Sequence, residues 1–340
     1  MTTVREIAKF AGVSKSTVSL VLNNKEGVSD EMRELVLRAM HDLQALSSDN
    51  GDSQETSSND KPRALSIMVL HPPVLRSSHV FSSVLQGIQI GSEAFNAQLR
   101  LVVNEPQPME GHVAHLYLTD DNLRPDGVII FGARQQEPLL ERAIALGIPC
   151  VVLGRDATKY AVSGIGRDEV AYAKELTRHL IALGHQRIAF LGGETHYDYT
   201  HTRFKGYRQA LEEASLPYDD AYVKLGDGAH ATEQVLSLAP SITALIYVND
   251  SYAQEGLAYL ATRRIRIPQE LSVASFDDTD FARTHTPPLT SVAYNRTKEG
   301  QWAVKILIDQ IRNPFLERTQ MMFRARVIVR ESTAPPNLRD

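Results

Sequence analysis

Residues 3–24, T-V-R-E-I-A-K-F-A-G-V-S-K-S-T-V-S-L-V-L-N-N, carry the pattern of two short helices joined by a tight turn. Thr3 and Glu6 stand at capping-box spacing, where hydroxyl and carboxylate satisfy amides that the first helical turn leaves unpaired. Val4, Ile7, Ala8 and Ala11 then fall on one face at helical spacing. Gly12 suits the left-handed conformation at a helix end, Val13 follows as an apolar turn residue, and Ser14 is placed to cap a second helix whose Val18, Val21 and Leu22 point inward. The outline is a helix-turn-helix. The second helix turns Lys15, Ser16, Ser19, Leu20 and Asn23 outward, mostly short or polar residues of the kind a recognition helix offers to base edges in a major groove. An ordinary helical hairpin with a solvated face would show the same periodicity.

The run A-G-V-S-K-S-T-V-S-L-V-L-N at 11–23 resembles the A-G-V-S-x-x-T-V-S-R-V-L-N signature of the lactose-repressor (LacI/GalR) family of bacterial transcription regulators. The resemblance implies that Lys15 and Ser16 hold the two variable base-reading positions, and that Thr3, Ser14, Thr17, Ser19 and Asn23 contact phosphate or bases. Leu20 stands where the family carries arginine. Its loss removes a cation able to grip guanine with two hydrogen bonds, so the expected operator half-site departs from the common one.

Outward from this stretch, Ser29 is placed to cap a third helix with Met32, Leu35, Val36, Ala39, Met40 and Leu43 as its inward stripe, completing an all-α head over residues 1–46. Six cations (Arg5, Lys9, Lys15, Lys25, Arg33, Arg38) meet six acids (Glu6, Glu26, Asp30, Glu31, Glu34, Asp42) there, so the head is formally neutral. Neutrality predicts weak non-specific DNA affinity with a shallow salt dependence. Residues 47–61, S-S-D-N-G-D-S-Q-E-T-S-S-N-D-K, hold no apolar side chain and read as a flexible linker. The family places here a Y-x-P-N-x-x-A-x-x-L hinge helix that wedges a leucine into the minor groove. None of those residues is present, and Asp49, Asp52, Glu55 and Asp60 would be repelled by phosphates. A coil of this length spans roughly 20 Å r.m.s., enough for two heads to reach half-sites about one helical turn apart.

The 340 residues, 43% hydrophobic, suffice for two or three domains. No run of eighteen apolar residues and no basic-then-apolar leader occurs, which predicts a cytoplasmic protein with no membrane partner. Cys150, the single cysteine, lies in I-P-C-V-V-L and is expected to pack as a small hydrophobe. No Walker loop, nucleophile elbow or H-E-x-x-H is found, and G-I-G-R-D-E does not fit the dinucleotide fingerprint, so neither an enzyme nor a cofactor is expected.

After Pro62, short apolar runs alternate with amphipathic stretches. Strands are expected at 65–70, 99–103, 127–131, 149–153, 187–191, 244–248 and 272–276. Helices are expected at 80–97, 138–146, 169–183, 203–214, 232–238 and 251–262. Continuous apolar strands separated by helices mean parallel sheets covered on both faces, here two doubly wound lobes. R-P-D-G-V-I-I-F-G, H-L-I-A-L-G-H-Q-R-I-A-F-L-G-G, R-F-K-G-Y-R-Q-A-L, T-A-L-I-Y-V-N-D, R-I-P-Q-E-L-S-V-A-S-F-D-D and P-P-L-T-S-V resemble the same family in order and spacing. The resemblance implies a periplasmic-binding-protein-like effector domain over 62–332, its chain crossing between lobes near 162, 291 and 322. One lobe would then hold 62–162 and 292–321, the other 163–291 and 322–332, with a loose tail after Glu331.

Ligands bind outside the carboxyl ends of strands in such sheets. By resemblance, Arg203 hydrogen-bonds the effector, and Asn249 and Asp277, each closing a strand, supply amide and carboxylate contacts. Capping of the next helix is the competing role for Asp250, Asp277 and Asp278. From the first lobe His71, His79 and Phe81 are candidates, with Arg155, Thr195 and Tyr197 weaker ones. The loop H-Y-D-Y-T-H at 196–201 is not read as a metal site, since it has no cysteine nearby. The family implies a homodimeric repressor that binds double-stranded operator DNA and is controlled by a small molecule, a sugar or its derivative. The alternatives are control by a partner protein with no small ligand, and a solute-binding protein.

Overall fold

The computed structural model describes residues 7–8, 11–22, 28–29, 32–33, 35–36, 63–71, 78–104, 113–131, 137–154, 157–195, 197–239 and 241–337. The chain divides into two units, Met1–Arg63 and Ala64–Asp340.

In the first unit helix α1, Lys15–Leu22, buries Val18 and Val21 against Ile7, Ala8 and Val36. Ser14 Oγ accepts the Thr17 amide at 3.0 Å, and Gly12 turns the chain with φ +67°. Ser29 Oγ accepts the Met32 amide at 3.3 Å, as a helix-starting serine does. The expected third-helix stripe is only partly inward. Val36 is buried, but Met32 and Leu35 are 37% and 46% exposed, because a core built on two short helices is narrow and these two flank it. Thr3, Asn23, Ala39, Met40, Leu43 and the linker 47–61 lie outside the described residues.

The second unit contains two six-stranded sheets. The first holds β1 Leu65–His71, β2 Ala97–Val103, β3 Gly127–Phe131, β4 Cys150–Leu153, β5 Ser163–Arg167 and β11 Gln320–Phe323, in the order β11-β5-β4-β3-β1-β2. The second holds β6 Ile188–Leu191, β7 Val223–Lys224, β8 Ala244–Tyr247, β9 Ser272–Asp277, β10 Thr290–Ala293 and β12 Arg326–Ile328, in the order β12-β10-β9-β8-β6-β7. Neighbours run parallel except β10 with β12. Around them lie α2 Ser78–Ala94, α3 Val113–Thr119, α4 Pro138–Ala145, α5 Glu169–Ala182, α6 Asp198–Glu213, α7 Gly228–Leu238, α8 Asp250–Thr262, α9 Asp280–Thr284 and α10 Arg296–Arg312.

The strand period of two divides β1 between two cores. Met68 and Leu70 pack with Leu139 and Ala143 of α4, whereas Ile67 and Val69 pack with Val84 and Ile88 of α2 and Val304 and Leu307 of α10. Covering on both faces is why β3 and β4 are apolar and buried throughout. Cys150 is buried, and its thiol is pushed up to about 12 by that burial, with the charge of Arg318 opposing. Among the described residues no helix is long and apolar enough to cross a membrane.

The crossings lie later than the sequence suggests, at 168, 294–295 and 324–325, because β5 pairs with β4 in the first sheet. The first lobe is therefore 64–167 with 296–323, and the second 169–293 with 326–337. S-G-I-G-R hides a strand behind two glycines, yet a Cβ on Gly164 would stand 2.4 Å from Gln320 Oε1 and 2.8 Å from the Ala157 Cβ. The tail is also tied down. Ser332 is buried, its Oγ donates to the Val273 carbonyl at 2.6 Å and accepts the Thr290 amide at 2.8 Å.

Candidate effector cleft and recognition helix

The elements that place charge between the lobes are the ends of β5 and β9, the starts of α5 and α10, and the middle of α6. Arg203 on α6 is 3% exposed. Its Nε donates to Glu169 Oε2 at 2.8 Å and its Nη1 to the Val248 carbonyl at 2.6 Å. Its Nη2 reaches Glu169 Oε1 at 3.2 Å, the Tyr294 hydroxyl at 3.2 Å and Asp277 Oδ1 at 3.4 Å. The guanidinium also lies 4.4 Å from the Phe276 ring centre. Glu169 opens α5 and accepts the Tyr294 hydroxyl at 2.8 Å. Burial alone would push its carboxyl up, but the charge and hydrogen bonds of Arg203, then Arg167 and the Tyr294 hydroxyl, hold it at about 2. Arg167, closing β5, donates to Glu299 of α10 through Nε at 2.7 Å and again through Nη2, and reaches Glu169 at 3.5 Å. Arg167 thus ties an acid of each lobe at the first crossing.

Asp277 binds Arg296 Nη2 at 2.6 Å. Beside this pair a cavity of about 610 Å³ opens between the lobes. Its walls are Val80, Ser82 and Ser83 of α2, the stretch 277–280 with Arg283, the second crossing 293–297 and the third crossing 324–326. Of the described residues expected at an effector, only Asp277 lines it.

The others sit as follows. Asn249 caps α8, its Oδ1 accepting the Ser251 amide at 3.0 Å and the Tyr252 amide at 3.2 Å, so its amide oxygen is committed. Asp250 is buried and accepts from Ser275, from Ser291 at 3.0 Å, and from Thr279 amide and hydroxyl at 2.7 and 2.8 Å. These bonds tie the start of α8 to β9, β10 and Thr279, while the cap of α8 itself is Asn249. His71 is buried at the end of β1 with its ring 4.6 Å from Phe81, and Phe81 is 6.0 Å from Phe131, so the three rings pack at a tilt in the first lobe. Thr195 is exposed and its carbonyl accepts from His201 at 2.6 Å. Residues 198–201 are no plain loop, since α6 begins at Asp198, five residues before the expected 203; His196 lies outside the described residues. Among the described residues no three His, Cys, Asp or Glu side chains gather as metal ligands. The side chain of His79 and all of Arg155 lie outside the description.

In the head, Ser14, Lys15, Ser16 and Ser19 are exposed, with Thr17 and Leu20 half-buried, on the side of α1 away from Val18 and Val21. Ser14 Oγ lies 2.7 Å from Ser16 Oγ and 2.8 Å from Thr17 Oγ1, which fixes the hydroxyls at the start of the helix. Residues 3–44 match the family described as bacterial regulatory proteins, lacI family, and residues 177–333 match the periplasmic binding protein-like domain.

The chain belongs to the lactose-repressor (LacI/GalR) family. It is a helix-turn-helix transcription regulator with a periplasmic-binding-protein-like domain. It is 26% identical to the HTH-type transcriptional regulator CelR of Thermobifida fusca over 97% of this chain and 98% of that one. It is 27% identical to the HTH-type transcriptional repressor PurR of Haemophilus influenzae (strain PittEE), over 92% and 91%. The solved CelR–cellobiose complex shares the fold with a TM-score of 0.73 and 25% identity over 98% of this chain and 100% of that one.

For this lactose-repressor family member, sequence reasoning missed Arg167, Glu169, Tyr294, Arg296, Glu299, Arg324 and Arg326. One signal was available for three of them. A-Y-N-R and F-R-A-R fall where the chain crosses between lobes, and arginine at a crossing faces both.

Proposed function

We propose that this regulator is a homodimeric repressor that reads a pseudo-palindromic operator with α1 and is switched by a small molecule held between its lobes. The observation that carries the DNA-reading half is the two-sided α1, with Lys15, Ser16 and Ser19 exposed opposite buried Val18 and Val21. Lys15 and Ser16 would read bases, while Ser14, Thr17, Ser19 and, outside the described residues, Thr3 and Asn23 would touch bases or phosphate. Leu20 offers only an apolar contact, which favours a thymine methyl over guanine at the facing position. Such a protein works in the cytoplasm by binding alone, without a catalytic step. The cavity between the lobes supports control by an effector, and the cellobiose complex of the similar CelR supports a sugar or a sugar derivative. Ligand there would change how the lobes close and so the spacing of the two heads.

A second reading, control by a partner protein, is favoured by Arg203, whose donors are taken by the chain's own Glu169 and Val248. The deciding experiment is selection of bound sequences from a random duplex pool by the full-length protein, repeated with candidate effectors present. An inverted repeat whose recovery changes with a small molecule is the expected result. Single half-sites would sink the dimer, and an inverted repeat indifferent to every small molecule would favour the partner.

A further inference from the structure

We infer that the cavity at the second and third crossings takes an anionic carbohydrate, one bearing a carboxylate or a phosphate, rather than a neutral sugar. The inference rests on the reading that a small effector switches this regulator, and it names the chemistry of that effector. A neutral sugar is held by acceptors that receive its hydroxyls. The carboxylates here are already committed. Asp277 holds Arg296 at 2.6 Å and Arg203 at 3.4 Å. Asp278 holds Arg330 at 2.6 Å and Arg283 at 3.1 Å, and Asp280 holds Arg283 at 2.7 Å.

The donors, in contrast, are in excess. Arg296 is 7% exposed and its Nε is buried with no partner among the described residues. A buried guanidinium donor without an acceptor is costly, and the same side chain lines the cavity. Arg324 and Arg326 line the same cavity, are exposed, and form no ion pair among the described residues. Guanidinium forks match carboxylate and phosphate oxygens two at a time. The backbone at this wall is also unusual. Asp277 and Asp278 take φ of +103° and +48° in succession, and positive φ at a residue other than glycine is held where the surroundings impose it, commonly at ligand sites. A volume of about 610 Å³ suits a monosaccharide or disaccharide derivative.

The test follows the thermal unfolding midpoint and operator binding of the full-length protein with glucuronate, glucose 6-phosphate, inorganic phosphate, glucose and cellobiose. Glucuronate or glucose 6-phosphate should raise the midpoint where glucose and cellobiose do not, and which of the two acts decides between carboxylate and phosphate. The double variant Arg324→Gln/Arg326→Gln should keep the unliganded midpoint and weaken the acidic sugar about tenfold or more. Binding of the neutral sugars alone overturns the inference and leaves the effector reading standing. Acidic sugars that bind the double variant as tightly overturn the site, and inorganic phosphate binding as well as either sugar overturns the carbohydrate. No response in midpoint or operator binding to any of the five ends both readings.

Discussion

Arg203 shows how much of a residue's bonding lies outside the motif that singles it out. Its position after strand and loop, in R-F-K-G-Y, points to the cleft, and the structure buries it 3.4 Å from Asp277 of the cavity wall without making it part of that wall. What the spacing could not show is Glu169, thirty-four positions away in sequence, which closes on it in a fork. The pair makes Arg203 a brace first. Removing one member of a buried pair leaves the other charged and unpartnered, so Arg203→Ala should lower the unfolding free energy by about 3–5 kcal/mol, read from urea denaturation at neutral pH. Arg203→Lys should recover little of it, since an ammonium cannot serve Glu169, Val248 and Tyr294 in one plane. Asp250 supplies a pH signature. Burial, then the charge of Asp277, pushes its carboxyl up from 3.8 to about 6 against the pull of its hydrogen bonds from Ser275 and Thr279. Between those values the folded protein holds a proton that the unfolded chain releases, so this contribution to stability is present at acid pH and is lost as pH rises through about 6. Urea midpoints of the wild type and Asp250→Asn across this range should differ in slope, with the wild type falling more steeply. Equal slopes would remove Asp250 as the titrating group.

At the scale of elements, the strands written as unbroken apolar runs were legible: β1, β3, β4, β6, β8 and β9 all fall within a few residues of expectation. Burial on both faces leaves such a strand no freedom to carry polar residues, so sequence and structure say the same thing. The strands that escaped are those whose identity depends on a distant neighbour. Ser163–Arg167 is a strand because Gly164 admits Gln320 and Ala157, and β11 and β12 are short strands at the sheet edges, with no residue fully buried. The tail was misread for a related reason, as S-T-A-P-P-N looks like a chain end until Val273 and Thr290 are seen to hydrogen-bond Ser332. Two histidines complete the anchorage, His185 Nε2 with the Ala334 carbonyl at 2.9 Å and His179 Nε2 with Thr333 Oγ1 at 3.0 Å. Burial holds both imidazoles below their ordinary value; for His185 the neighbouring His179 adds to this and the Ala334 carbonyl opposes it. A histidine with a lowered folded pKa contributes stability that is present above its unfolded value of 6.5 and lost as pH falls below it. Deleting residues 332–340 should therefore cost roughly 2–4 kcal/mol at pH 7 through lost buried hydrogen bonds and flatten the decline below pH 6.5. Calorimetric scans of both proteins at several pH values would show it, and a truncation with an unchanged midpoint would return the tail to the status of a loose end.

For the whole molecule, the distribution of charge matters more than its sum. The net charge is -5, the head is neutral, and the linker carries four acids against one lysine. Among the described residues, Arg324 and Arg326 form no ion pair and line the lobe cavity, where the proposed anion would meet them. DNA affinity in such a protein cannot lean on counterion release. A regulator neutralising six to ten phosphates loses roughly 10³- to 10⁵-fold in affinity between 50 and 200 mM salt. With few cations left unmatched in each head, the loss here should stay below about a hundredfold over that interval, measured by fluorescence anisotropy on the selected operator across a potassium chloride series. The same shortage should depress binding to random duplex more than binding to the operator, because the hydrogen bonds to base edges proposed for Lys15 and Ser16 would carry sequence information and phosphate contacts do not. A steep slope on both duplexes would show that cations beyond the head reach the phosphates, and the neutrality of residues 1–46 would no longer set the balance between search and recognition.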